Sequence, residues 1–348
     1  MRTAEKYALA VVSGVAAAEL LSFGVEAAVQ WFWSYIDRCN VKELEGEFQI
    51  LNTLGSGKTS KIYKAENRKR GRTVALKVLS KLSVVAIESN AFTVEREILQ
   101  SITHPNIVHL YSAFSRGWCN VLEMECATDG SLFHYVHAHG VLSEMQTIRL
   151  ITQMLDAMLY LYDTHNIIHR DIKPENILVF KEPLVCCGIE EMFYNSLARE
   201  STICFKLCDF GFSGQDKARC GTECKIDGLA LRIVYTEPHV YSDEKGHSLG
   251  SDVWSLGIVV HYALYGVNPY YDLVMQRRRK EDYLESVCME KEKWGALGPK
   301  LRSFFKMALS TKKERTEREI RKVYDDLSSL DPPIRFCPTQ SHPVSYDY

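Results

Sequence analysis

The feature that most narrows what this chain can fold into is one polar run held between two apolar segments. Ile148, Leu150, Ile151, Met154, Leu155, Met158, Leu159 and Leu161 recur with the spacing of a largely buried helix over Thr147–Thr164. That helix leads into His169-Arg170-Asp171-Ile172-Lys173-Pro174-Glu175-Asn176, and the chain turns apolar again at Ile177-Leu178-Val179. Asp209-Phe210-Gly211 follows downstream. An ordinary polar surface loop does not call for so many fixed residue types, so Asp171, Lys173 and Asn176 are read as carrying chemistry.

Upstream, Gln49–Leu54 has the apolar alternation of a strand and runs into Gly55-Ser56-Gly57-Lys58-Thr59-Ser60-Lys61-Ile62. Glycines let backbone amides approach phosphate oxygens closely, because no Cβ stands in the way. By itself a G-x-G near a turn is more often only a turn. Its sequel is more telling, since Thr73-Val74-Ala75-Leu76-Lys77-Val78 is a second apolar strand carrying one lysine. A buried ammonium needs a counter-charge or a phosphate. The helix-like segment Ala91–Ser101 offers Glu95, ahead of His104-Pro105-Asn106-Ile107-Val108.

Together these motifs resemble the eukaryotic protein kinase family of the serine/threonine type, over about Phe48 to Leu327. The resemblance implies an α+β, bilobal fold: a small antiparallel β-sheet lobe with one main helix, and a larger, mainly helical lobe, with ATP between them. It implies ATP and Mg2+ as cofactors and protein serine and threonine hydroxyls as acceptors. In that reading Lys77 holds the α and β phosphates while pairing with Glu95, and Asp171 orients or deprotonates the substrate hydroxyl. Lys173 reaches the transferred phosphate, and Asn176 and Asp209 carry magnesium. Leu54, Gly55, Ser56 and Gly57 would cover the nucleotide, while Ile62, Ala75 and Leu178 sandwich the base. Met124 resembles the gatekeeper, and Glu125 through Cys126 to Ala127 the hinge. Leu99, Leu110, His169 and Phe210 match the stacked apolar spine, and Asp252 resembles the aspartate that anchors the catalytic loop from a buried helix. Phosphoryl transfer asks chiefly for positioning and cations, which these residue types supply.

The chain departs from the family pattern in four places. Ser60 replaces the third glycine. The family's A-P-E reads Glu237-Pro238-His239, so the acid that pairs with a late arginine is expected to be missing, with Arg315 as the orphan. A buried arginine left unpaired costs on the order of 3 to 5 kcal/mol. Cys220-Gly221-Thr222 resembles the family's Gly-Thr but stands 17 residues before His239, and the usual spacing falls on Arg232, so the peptide-docking surface is expected to be remodelled. Asn176 and Asp209 stand 33 positions apart, so Phe180 to Thr202 is expected to loop out.

Arg170 beside Asp171 resembles the kinases switched on by phosphorylation of the activation segment, which makes Thr222 the acceptor for an activating kinase. Constitutive ordering without phosphate is the alternative. The lost acid and displaced Gly-Thr support a second reading, a pseudokinase acting as a nucleotide-binding scaffold. A small-molecule kinase is a third, opposed by Lys173 and by the segment Asp252-Val253-Trp254.

A formal net charge of -2 gives no global field for nucleic acid or an anionic membrane, and no nucleic-acid partner is expected. The basic clusters at 68–72 and 277–280 read as solvated turns. Eleven scattered cysteines suit a reducing compartment, so the chain is placed in the cytoplasm, with the nucleus as an alternative. Cys204, Cys208, Cys220 and Cys224 invite a zinc reading, but on an extended strand Cys204 and Cys208 lie roughly 13 Å apart, too far to share one ion. Residues 1–45 read as an amphipathic helical segment, because Glu19, Ser22, Glu26, Gln30 and Asp37 fall on one stripe. Docking on the catalytic domain is preferred to membrane association through residues 7–36. The kinase domain is expected over 46–327, with lobes at 46–125 and 126–327 and an insertion at 180–203. An extended tail over 328–348 is marked by Pro332, Pro333, Pro338 and Pro343.

Overall fold

The computed structural model describes residues 42–56, 60–80, 86–117, 119–182, 202–215, 234–237, 240, 246–269, 297–310 and 315–330. The strand alternation read near Phe48 becomes β1 (Phe48–Ser56), followed antiparallel by β2 (Ser60–Asn67) and β3 (Arg72–Ser80). After α1 (Ala86–Ser101), β4 (Leu110–Arg116) and β5 (Cys119–Glu125) complete a five-stranded sheet in the order β1-β2-β3-β5-β4. The basic cluster at 68–72 spans the β2–β3 turn and the first residue of β3. Gly71 closes it at φ 58, a left-handed conformation that a Cβ would strain, and donates to the Asn67 carbonyl at 2.8 Å.

Val74, Leu76 and Val78 on β3 are buried, and so are Ala75 and Lys77 between them. A strand covered on both faces needs such an unbroken run rather than alternation. Register sets Gly55 opposite Ile62 and Ile62 opposite Lys77, a line across β1, β2 and β3. Ala75, two residues from Lys77, shares its face.

The remaining elements are α2 (Leu132–His139), α3 (Glu144–His165), β6 (Ile167–Ile168), β7 (Ile177–Glu182), β8 (Thr202–Leu207), β9 (Gly214–Gln215), α4 (Leu249–Tyr265), α5 (Pro299–Ala308) and α6 (Glu317–Ser328). A single 3-10 turn covers Pro174–Asn176. α3 starts ahead of the predicted Thr147 because Ser143 and Gln146 form a reciprocal capping box. It stops at Asn166, which takes the left-handed conformation at φ 52. All eight apolar positions predicted for its core are buried. α4 is buried from Leu249 to Ala263, around its whole circumference, as a helix at the centre of a packed body must be. It packs against α3, α5 and α6.

The described chain clusters into two compact units. One contains β1, β2, β3 and Ser112–Met124; the other contains α1, the chain on to Tyr111, and the described residues from Glu125 onward. The expectation that Phe180 to Thr202 loops out is too wide. Phe180 pairs with Cys204, Lys181 with Ile203 and Glu182 with Thr202. Gly57, Thr222, Arg232, His239, Cys186, Cys187, Cys220 and Cys224, with residues 1–41, 183–201, 277–280 and 331–348, lie outside the described residues. Among the described residues no helix is long and apolar enough to cross a membrane.

Candidate active site

The site is assembled from the buried N-terminal turn of α4. Ser248 caps that helix, and Asp252, 2% exposed, accepts the backbone N–H of His169 at 2.6 Å and that of Arg170 at 2.9 Å. Burial pushes the Asp252 carboxyl up to about 7 even though these two bonds pull the other way. The grip holds Arg170 at φ 68, where a side chain with a Cβ is uncommon.

His169 accepts the Asp171 N–H at Nδ1 (3.3 Å) and faces the Cys208 carbonyl through Nε2 (3.1 Å). Only the neutral Nε2–H form satisfies both partners. Burial depresses its pKa and keeps it in that form, against the charges of Asp171 and Asp209. Its ring meets Phe210 edge to face at 4.9 Å. Cys208 N–H donates to the Asn176 carbonyl at 2.9 Å, and the Ser213 hydroxyl donates to the His169 carbonyl at 3.3 Å. The loop at 169–176 is thereby stitched to the stretch at 208–213.

Within that frame the Asp171 carboxylate, nearly buried, receives Lys173 Nζ at 2.8 Å and Asn176 Nδ2 at 3.0 Å, both on Oδ2. Asn176 Nδ2 also donates to the Asp171 carbonyl at 2.8 Å. The amide nitrogen of buried Asn176 is thereby committed twice. Asp209 takes a left-handed conformation at φ 68.

Of the residues named from sequence, Asp171, Lys173 and Asn176 touch one another, and Asp209 acts on the same histidine as Asp171. Gly55, Ile62, Ala75 and Lys77 gather on the sheet as described, with Leu54 and Ser56 exposed on β1. Lys77 and Glu95 are charged residues only 9% and 2% exposed. Met124 is buried at the end of β5. Glu125 N–H donates to the His109 carbonyl at 3.0 Å. Cys126 is half-buried and in no disulfide, and Leu178 lies opposite Lys206 and bridges Ser131. Leu99 is buried and Leu110 half-buried. Among the described residues no cluster of His, Cys, Asp and Glu suits a metal such as zinc.

Arg315 is not an orphan. Its Nη1 donates to Glu237 Oε1 at 2.8 Å, its Nη2 to the Ser310 carbonyl at 2.9 Å and its Nε to the Ala308 carbonyl at 2.5 Å. The guanidinium lies over the Trp254 ring at 5.0 Å. The expected loss of the acid is therefore corrected: a carboxylate before the proline fills the place expected after it. Sequence reasoning also missed Ser213, and it missed Lys206, which meets the Glu125 carboxylate at 2.7 Å. Arg170, read as a phosphate receptor, donates from Nη2 to the Gln215 carbonyl at 2.6 Å. A Cβ on Gly214 would come within 2.7 Å of that guanidinium, so Arg170 lies against the backbone of β9.

The family described as "Protein kinase domain" matches residues 48–345. Serine/threonine-protein kinase srk1 of Schizosaccharomyces pombe is 29% identical over 254 residues, covering 65% of this chain and 42% of that protein. Human calcium/calmodulin-dependent protein kinase type IV is 30% identical over 253 residues, covering 72% of this chain and 46% of its own length. Mouse serine/threonine-protein kinase 36 is 30% identical over 225 residues, covering 65% of this chain and 15% of its own length. The chain thus spans less than half of each of these relatives.

Proposed function

The chain belongs to the protein kinase family, and on that premise we propose that it transfers the γ-phosphoryl group of ATP to serine or threonine hydroxyls of protein substrates. The observation that carries this reading is the Asp171 carboxylate, fixed by Lys173 and Asn176 on a loop that Asp252 grips by two backbone N–H groups. A carboxylate held this way by two donors on one oxygen is fixed in orientation for an incoming hydroxyl. Asp171 takes up the hydroxyl proton as the oxygen attacks phosphorus, the bond from phosphorus to ADP breaks, and ADP leaves with its electron pair. Lys173, at 2.8 Å from Asp171, adds positive charge where negative charge spreads over the moving group.

The donor set fits Mg2+. Asn176 offers an amide oxygen and Asp209 a carboxylate, both hard oxygen donors. Bound there, the ion would neutralise charge on the phosphates; Asn176 and Asp209 would hold it. Lys77 and Glu95 take the phosphate-binding roles that the resemblance gives them, and residues 54–57, Ile62, Ala75, Met124, Glu125, Cys126 and Leu178 the nucleotide. The Glu237–Arg315 pair removes one of the two grounds for a scaffold reading. Cytoplasmic residence and an activating kinase acting on Thr222 belong to the same proposal.

Peptide arrays with labelled ATP test it. The wild type is expected to label serine or threonine peptides, and Asp171→Asn to lower kcat by about a hundredfold or more. Nucleotide binding with no transfer to any peptide or to the chain itself would favour a scaffold.

A further inference from the structure

The turn between β2 and β3 is fixed from beneath by a buried amide. Asn67, 2% exposed, donates from Nδ2 to the buried Glu123 carboxylate at 2.8 Å, while its Oδ1 accepts the Arg70 N–H at 3.0 Å and its carbonyl that of Gly71. Arg72 is drawn back to the same Glu123 at 3.7 Å. Arg68, Lys69 and Arg70 stand exposed at the tip, and among the described residues their side chains meet no acid. A fixed loop thus displays three cations.

The same turn lies beside the point where residues 1–41 join the fold. Arg68 N–H donates to the Glu47 carbonyl at 3.0 Å, the Glu47 carboxylate is held by Arg116 at 3.0 Å, and Leu44 is fully buried just upstream. Val41 stands six positions before Glu47, so at most about 20 Å of chain leads from that segment to the turn.

By its sequence the segment pairs a wide apolar surface, ending in Trp31, Phe32, Trp33 and Tyr35, with a polar stripe whose charges are Glu19, Glu26 and Asp37. Among the described residues the sheet unit exposes only two large apolar side chains, Leu51 and Leu54, both on β1, too few to cover such a surface. Tryptophan and tyrosine favour the headgroup level of a bilayer, where the ring lies in apolar surroundings and its polar edge stays wet. An acidic stripe brings no attraction to anionic lipids, so the positive charge has to come from another part of the chain. The turn supplies it.

We propose that Arg68, Lys69 and Arg70, with the aromatic group at 31–35, form one surface that seats the chain on an anionic membrane. The rings enter the headgroup region and the cations meet lipid phosphates and carboxylates, two signals where one alone holds only marginally. A net charge of -2 does not oppose this, because screening confines the relevant field to about 8 Å. The exposed acids nearest along the chain, Glu43, Glu45 and Glu66, are outnumbered by the three tip cations and exposed Lys42. This surface goes beyond phosphoryl transfer and does not depend on it.

The test is co-sedimentation of the full chain with vesicles of phosphatidylcholine alone and of phosphatidylcholine with phosphatidylserine. The wild type should pellet with the second and not the first, and added salt should release it. Arg68→Gln/Lys69→Gln/Arg70→Gln should lower partition onto the anionic vesicles about a hundredfold, and Trp31→Ala/Trp33→Ala about tenfold or more. Both variants should keep the wild-type melting midpoint, which shows that they fold. A wild type that binds neither vesicle, or both equally, overturns the proposal, and so does either variant pelleting like the wild type. Should the tryptophans pack on the sheet unit instead, their variant would melt lower and the wild type would leave the vesicles unbound, which overturns the proposal as well.

Discussion

Asp252 shows how one buried side chain ties stability to pH. Folded, it holds its proton up to about 7, while in an unfolded chain a carboxyl releases it near 3.8. Between those values the folded state binds more protons, so the contribution of this group to stability falls as pH rises from about 4 to about 7. Asp252→Asn cannot titrate, and it sets an amide NH2 against one of the two backbone donors. The variant is therefore less stable than the wild type throughout, with a gap that narrows from pH 5 to pH 8 in urea denaturation; a gap that widens would refute the assignment. Residues such as Asp171, Asn176 and Asp252 are legible in sequence because their chemistry depends on local spacing. Glu237 is not, since its partner lies 78 residues away and only packing decides which acid near Pro238 reaches it.

At the scale of elements, α4 depends on close approach to α5. A Cβ on Gly257 would lie 2.8 Å from Leu309 Cδ2 and 3.1 Å from Ala308 Cβ, both buried, so the helices touch where no side chain intervenes. Gly257→Ala gains helix propensity but overpacks this contact, for a net destabilisation of about 1 to 2 kcal/mol. In a double-mutant cycle with Leu309→Ala, the combined loss should fall short of the sum, because removing Leu309 makes room for the new methyl. Simple additivity would show that the helices adjust without strain. Long periodic elements such as α3 and β3 were readable because burial imposes their pattern over many residues. β6 and β9 were not, at two residues each, and neither was the extension of the β7–β8 ribbon to Glu182 and Thr202, where pairing rather than composition sets the limit.

For the molecule as a whole, the sheet unit needs residues ahead of its first strand. Leu44 is fully buried, the Glu47 carboxylate meets Arg116 at 3.0 Å, and Glu43 lies against the backbone at Gly117, where a Cβ would be 3.1 Å away. The half-exposed ion pair adds little, so Leu44 dominates this contribution. Sequence reasoning placed the domain boundary at 46 because strand alternation begins at Phe48; a single buried leucine before a turn carries no periodicity to read. Two truncations separate these views. Removing residues 1–40 keeps Leu44 and should leave peptide phosphorylation and the melting midpoint close to those of the full chain. Removing residues 1–47 strips a core side chain and exposes the apolar surface beneath it, which should destabilise the unit by about 2 to 5 kcal/mol and lower the midpoint by several degrees. Equal midpoints for the two truncations would show that Leu44 is dispensable, and collapse of the shorter deletion would move the boundary of the folded domain upstream of residue 41.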